Sequence, residues 1–283
     1  MCGIAGIIDF RGRSVEPAEI RKLTDQIAPR GPDGDGYWFS AQRDVALGHR
    51  RLAIIDPGPG GHQPMASGDG RHVIVFNGEI YNFLELRTEL ENFGEKFHAE
   101  SDTEVILAAW RNWREGMLTR FNGMWALAIY DTESGELFLA RDRFGIKPLL
   151  YALTPERFVF ASEHRALVRS GLIRTSIDSD VARRLMLDAF SVEGSERTLS
   201  REVRRLQAGH FMWLRGGKPA VRRWWCTIDH LPEIPGNEAE RVERFGELFR
   251  SAVALRMRSD VPIGTCLSGG FDSTAVICTM AEH

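Results

Sequence analysis

The chain has 283 residues and a net charge of -3; 43% of its residues are hydrophobic and 27% are charged. That balance describes a globular chain of one large domain or two ordinary ones, without the basic surplus that nucleic acid or an anionic membrane calls for. No apolar run reaches the roughly 18–20 residues of a membrane span, and the N-terminus lacks the charged and apolar regions of a signal peptide. Four cysteines (Cys2, Cys226, Cys266 and Cys278) show no metal-ligand spacing, so reduced thiols in the cytoplasm are expected.

In chain order, residues 4–10 predict a strand whose Ile4, Ile7 and Ile8 bury the start of the chain. A helix follows, with Pro17 in its first turn and Ile20, Leu23 and Ile27 on one face. Arg30-Gly31-Pro32-Asp33-Gly34-Asp35-Gly36 reads as a loop. A strand at 45–49 runs on into 50–56, and a second loop covers 57–70. Val73–Phe76 is a strand ending in Asn77-Gly78-Glu79. Two helices come next: 83–93, closed by Gly94, and one opened by Ser101-Asp102-Thr103-Glu104 in the pattern of a capping box. Hairpins are expected at 125–131 with 136–141 and at 149–153 with 157–161, then a helix at about 178–190 and a strand near 210–214. Helices and hairpins in separate groups argue for layered α+β architecture. Residues 216–239 read as a linker, 240–258 as a helix, and 261–267 as a short apolar strand turning through Ser268–Ser273 into another helix.

Cys2 stands directly behind the initiator methionine. With Met1 removed, one carbon carries a thiol and an α-amine whose pKa of about 7.7–8.0 lets it accept the thiol's proton. The plain alternative is a small buried residue near an ordinary terminus.

Four further pieces point the same way as Met1-Cys2-Gly3-Ile4: Arg30–Asp33, Asn77-Gly78-Glu79-Ile80-Tyr81-Asn82, Ser101–Val105 and Arg141–Leu149. Together they resemble the class II glutamine amidotransferases. With Ser268-Gly269-Gly270-Phe271-Asp272-Ser273, which resembles the pyrophosphate loop of ATP-dependent synthetases, the set looks like the glutamine-hydrolysing asparagine synthetase family. The resemblance implies a four-layer αββα sandwich of the N-terminal-nucleophile hydrolase type over residues 2–215, a linker at 216–239 and the start of an α/β synthetase domain at 240–283. It implies Cys2 as nucleophile, and Asn77 and Gly78 as the oxyanion hole. Arg51 would take the α-carboxylate of glutamine, Asp102 its α-ammonium, and Glu79 would lie beside the substrate.

The residue types suit those roles. A guanidinium binds a carboxylate by two parallel hydrogen bonds, and donors already aimed at an oxyanion stabilise it as it forms. Each residue also has a plainer reading: Arg51 as a surface arginine, with Arg50 as its possible stand-in; Asp102 as a helix cap; Asn77-Gly78 as a hairpin turn.

For the second site the resemblance implies Cys266, Leu267, Ser268, Gly269, Gly270, Asp272 and Ser273 at ATP, which with magnesium would adenylate a carboxylate. Glutamine, ATP and aspartate are the implied substrates, and a homodimer is compatible with the family. Only ten residues follow Ser273, so glutaminase activity without amide synthesis is expected of this chain. Two alternatives stand: an amidotransferase with another carboxylate acceptor, and a non-catalytic glutamine-binding or regulatory module. His49, His62 and His98 suggest no metal site; Trp224-Trp225 reads as packing, and Arg201–Arg205 as solvated charge.

Overall fold

In the computed structural model residues 2–282 are described. The elements are β1 (Gly3–Asp9), α1 (Pro17–Gln26), β2 (Gly34–Phe39), β3 (Val45–Arg51), β4 (Met65–Ala66) and β5 (His72–Ile80). After them come α2 (Phe83–Asn92), α3 (Asp102–Trp113), α4 (Met117–Arg120), β6 (Gly123–Asp131) and β7 (Leu137–Arg141). Then follow β8 (Leu150–Leu153), β9 (Arg157–Ala161), α5 (His164–Arg169), α6 (Ser179–Leu187), β10 (Val203–Arg205), β11 (His210–Arg215), β12 (Lys218–Arg223), α7 (Glu238–Arg256) and α8 (Phe271–Met280).

Among the described residues the strands form two six-stranded sheets, ordered β10-β8-β9-β1-β3-β2 and β12-β11-β7-β6-β5-β4. Side-chain alternation along each strand explains how they stack. In β1, Ile4 and Ile8 join Val73, Val75, Ala126 and Leu139 of the other sheet in one core, so this face lies between the sheets. The alternate residues Ala5 and Ile7 pack with Ile20 and Leu23 of α1, with Ile27 just after it, and with Ala166 and Leu167 of α5. On the far side Ile74, Phe76, Leu127 and Phe138 pack under α2 and α3, with the buried Trp110 among them. The outcome is the expected helix–sheet–sheet–helix sandwich, in which the central strands of each sheet are buried on both faces and the edge strand β12 is exposed.

Several local expectations change. The glycine-rich stretch after Arg30 passes into β2, because its Tyr37, Trp38 and Phe39 pair along the open edge of β3. The Asn77-Gly78 pair is no turn; it sits inside β5 opposite Ala126 and Trp125, and that pairing runs on to Ile80 opposite Gly123. The 57–70 loop contains the short β4, paired to β5. The expected linker from 216 opens with β12, since Gly216 and Gly217, both at positive φ, turn the chain back to pair 218–223 with 210–215. The capping box is half made: Ser101 Oγ accepts from the Thr103 N–H at 3.1 Å, but Glu104 turns away to accept from the N–H groups of His98 and Ala99. Residues 261–267 form no strand, because no described strand lies beside them to supply the ladder a strand requires. Arg205 is not simply solvated; its Nη1 donates to the carbonyls of Val192 and Glu193. Trp224 does pack, stacked on Trp125 at 5.7 Å between centroids.

Candidate active site

The inter-sheet face of the sandwich ends in a cavity of about 260 Å³, and strand alternation decides what enters it. Val45 and Leu47 share a face of β3 with His49 and Arg51; Val73 and Val75 share a face of β5 with Asn77 and Glu79. The apolar members fill the core, and the polar members at the strand ends line the cavity together with Cys2. All six residues expected at the first site, Cys2, Arg51, Asn77, Gly78, Glu79 and Asp102, border this one space.

Cys2 is tied to the end of β3. Its thiol lies 3.5 Å from the Leu52 carbonyl and 3.3 Å from the Leu52 N–H, which donates to the sulfur. Burial pushes the thiol pKa up, Asp102 pushes the same way, and the Leu52 hydrogen bond and Arg51 oppose. Arg30 fixes the backbone here: its Nε donates to the Cys2 carbonyl at 2.8 Å while Nη1 pairs with Glu163 at 3.1 Å. Met1 lies outside the described residues, and with it the question of its removal.

Asn77 is fully buried, and neither Nδ2 nor Oδ1 finds a hydrogen-bond partner among the described residues. A buried side-chain amide left unpaired costs roughly 1–3 kcal/mol, so its persistence calls for a partner that occupies the cavity. Gly78 beside it cannot carry a side chain, since a Cβ there would stand 2.2 Å from the Met124 carbonyl oxygen.

Arg51 is buried, and two of its five N–H groups are held by the loop that follows β3: Nη1 donates to the Gly58 carbonyl at 2.8 Å and Nη2 to that of Asp56. Gly61 is needed where this guanidinium packs, because a Cβ would lie 2.6 Å from the Asp56 carbonyl oxygen as well as against Nη2. Arg50, its possible stand-in, points away to Asp25 at 2.5 Å and does not border the cavity.

Asp102 opens α3 but does not cap it. Ser101 does that, while the Asp102 carboxylate accepts from the Ile80 N–H at 3.0 Å. Burial raises its pKa to about 7, with the charge of Glu79 adding to the rise and backbone hydrogen bonds opposing it. Glu79 is likewise raised by burial, and Lys147 opposes.

Lys147 borders the same space, and no role was assigned to it from the sequence. It is placed by its own motif. Asp142 Oδ2 accepts from the N–H groups of Lys147 and Trp125, Oδ1 accepts from those of Phe144 and Ile146, and Arg141 Nε donates to the Lys147 carbonyl at 2.7 Å. Burial lowers the Lys147 pKa while Glu79 raises it. The legible signal was a lysine inside a short motif that turns between two strands. Gln63 and His49 had no such signal. Gln63 accepts from the Phe76 N–H at 2.6 Å; His49 lies 3.1 Å from the Phe76 carbonyl, and burial drives its pKa down to about 3, so it is neutral.

Two cationic and two acidic side chains around so small a space suit a zwitterion. The volume lies just below the roughly 300–1,000 Å³ of drug-sized pockets, a size that suits one amino acid.

The second set is not assembled in the same way. Cys266, Leu267, Ser268, Gly269, Gly270, Asp272 and Ser273 are arranged around the start of α8, most of them exposed. Ser268 and Ser273 meet through their hydroxyls at 3.0 Å, and Ser273 Oγ donates to the Gly270 carbonyl. No side chain caps this helix, and uncapped N–H groups at a helix start are the kind that a phosphate can accept from. Among the described residues no cluster of three His, Cys, Asp or Glu side chains is placed to hold a metal, and no helix is long and apolar enough to cross a membrane.

Two family models match the chain. The family model described as glutamine amidotransferase domain matches residues 1–225, and that described as asparagine synthase matches residues 244–283. The glutamine-hydrolysing asparagine synthetases 3 and 1 of Bacillus subtilis (strain 168) are 34% identical over 291 residues and 35% identical over 285 residues. Each match covers 100% of this chain but 46% and 44% of the relative, so the chain spans about half the length of the curated relatives it matches. Among solved structures, the glutamine phosphoribosylpyrophosphate amidotransferase of B. subtilis aligns with a TM-score of 0.60 at 20% identity, over 79% of this chain and 49% of that one. That likeness is one of fold. Cavity, sandwich and sequence match coincide over the same residues, and the chain belongs to the glutamine amidotransferase domain family.

Proposed function

We propose that the chain hydrolyses glutamine to glutamate and ammonia, with Cys2 as the nucleophile. The observation that carries this is the buried, unpartnered amide of Asn77 in the cavity that also holds the Cys2 thiol. In the proposed reaction Met1 has been removed. The Cys2 thiol passes its proton to the chain's own α-amine and attacks the side-chain carbonyl of glutamine. Asn77 Nδ2 and the Gly78 N–H donate to the oxyanion. The α-amine then protonates the leaving ammonia, and water hydrolyses the glutamyl thioester. Arg51 keeps free N–H groups on its fork for the α-carboxylate, and Asp102, once ionised, takes the α-ammonium. Glu79 and Lys147 border the rest of the substrate.

Ammonia release from glutamine, measured beside the mass of the N-terminal residue, tests the proposal. Release that disappears in Cys2→Ala, from protein beginning at Cys2, is the expected result. No release from folded, correctly trimmed protein would refute it and favour a module that binds glutamine without hydrolysing it.

The match of residues 244–283 supports a wider reading. The ammonia would be used with ATP and magnesium to convert aspartate to asparagine, AMP and pyrophosphate, in the cytoplasm and in a homodimer. ATP would activate the aspartate carboxylate by adenylating it, with pyrophosphate leaving. The residues of this chain offered to it are Ser268–Ser273 at the start of α8, with Cys266 and Leu267 beside them. The domain division is proposed accordingly, with the amidotransferase unit carried through β12, a connecting segment after it, and the second unit from α7 onward.

A further inference from the structure

After Trp224 and Trp225, which pack directly behind β12, the described chain meets the amidotransferase unit again around the end of α7, where Arg256 lies over the Tyr81 ring and the residues that follow make hydrogen bonds to it. Asp260 meets the loop after β3 twice: its N–H donates to the Ile54 carbonyl at 3.1 Å, and its carboxylate accepts from the Asp56 N–H at 2.7 Å. Two residues earlier, Arg258 donates to the Tyr81 carbonyl and to Glu85, both at 2.6 Å, which anchors the segment to the start of α2.

Asp56 is the residue on which these contacts converge. Its φ is +47°, a left-handed conformation that a non-glycine residue adopts only when its neighbours hold it there. Its carbonyl accepts from Arg51 Nη2. Its carboxylate accepts from the Glu100 N–H at 3.1 Å, immediately before Ser101 and Asp102. One residue thus fastens the arginine at one end of the cavity, the segment that begins α3 at the other end, and Asp260 from the second unit.

We propose that Asp260 is a positioning residue for glutamine: by holding Asp56 in its left-handed conformation it sets Arg51 and the start of α3 for the two ends of the substrate. The proposal rests on the reading of the cavity as a glutamine site. It makes the second unit part of the affinity of the first, although Asp260 touches no substrate. By linkage, anything that moves the 258–260 segment changes glutamine binding, and glutamine binding biases that segment in return.

The test is steady-state ammonia release against glutamine concentration for the whole chain, Asp260→Ala and Asp260→Asn, with amide hydrogen exchange of residues 54–62 measured on the same proteins. Loss of one hydrogen-bonded contact should raise KM about 3- to 10-fold in Asp260→Ala and leave kcat within about twofold. Asn retains a carbonyl oxygen for the Asp56 N–H and should restore most of the loss. Exchange at 54–62 should quicken in Asp260→Ala. An unchanged KM in Asp260→Ala, or an Asp260→Asn as impaired as Asp260→Ala, would overturn the assignment. If the unaltered chain releases no ammonia, the glutaminase reading fails, and exchange decides the contact separately: faster exchange in Asp260→Ala supports the tie, and unchanged exchange removes it.

Discussion

Asp102 is a carboxylate whose surroundings oppose its charge. With its pKa raised to about 7 by burial, it is half protonated near neutrality in the free chain. Binding an ammonium requires it ionised, so kcat/KM for glutamine should fall as pH drops below about 7; Asp102→Asn should remove that limb and lower the plateau. The stability consequence has a definite sign. The folded pKa lies above the unfolded one, so the contribution of this group is greatest at acid pH and declines as pH rises from the ordinary carboxylate range through about 7. Asp102→Asn should therefore raise the melting temperature more at pH 8 than at pH 5, as thermal melts would show. Asn77 carries a different prediction. Losing one oxyanion donor costs on the order of 10²–10³ in rate, and Asn77→Ala should show that loss in kcat with far less change in KM, because the interaction forms in the transition state.

Among the elements, the turn between β7 and β8 shows how a short motif places a side chain. Asp142 is buried and holds four backbone N–H groups, so Asp142→Ala leaves the buried donors of Trp125 and Lys147, and the half-buried ones of Phe144 and Ile146, without their acceptor. Each buried donor left unpaired costs roughly 1–3 kcal/mol, a loss that denaturant unfolding would measure as a lower midpoint with an unchanged slope. Lys147 would lose its placement in the same variant. The β5 strand makes the opposite point about legibility. From its sequence alone Asn-Gly favours a turn, and only the pairing of Gly78 with Trp125 shows that the strand continues. Local preference gave way to a ladder formed with residues nearly fifty positions away.

For the whole molecule, the three core clusters contain no residue beyond Trp224. In contrast α7 and α8 leave Val242, Phe245, Leu248 and Phe271 exposed. The sandwich should therefore fold without them: a chain ending after Cys226 should melt within a few degrees of the 283-residue chain. A large drop in its melting temperature would show that the second unit supports the core. Phe160, wholly buried between the sheets, is the complementary case, and Phe160→Ala should destabilise by about 3–5 kcal/mol through the cavity it leaves.

By itself the sequence determined the kind of molecule and most of its parts. Strand alternation, helix faces and turn residues are local, and the separated pieces around Cys2, Arg51, Asn77 and Asp102 carried a family resemblance that pointed to one pocket. Only the tertiary structure decided which alternative each residue takes: Arg51 and not Arg50 at the cavity, Ser101 and not Asp102 as the cap, Asn77 in a strand and not a turn. It also placed Lys147 at the cavity and brought Asp260 onto Asp56, the latter two standing 204 positions apart in the chain. The physical reason is common to all of them. Backbone pairing and burial are long-range, and a side chain's partner follows from which segments the packed core brings together.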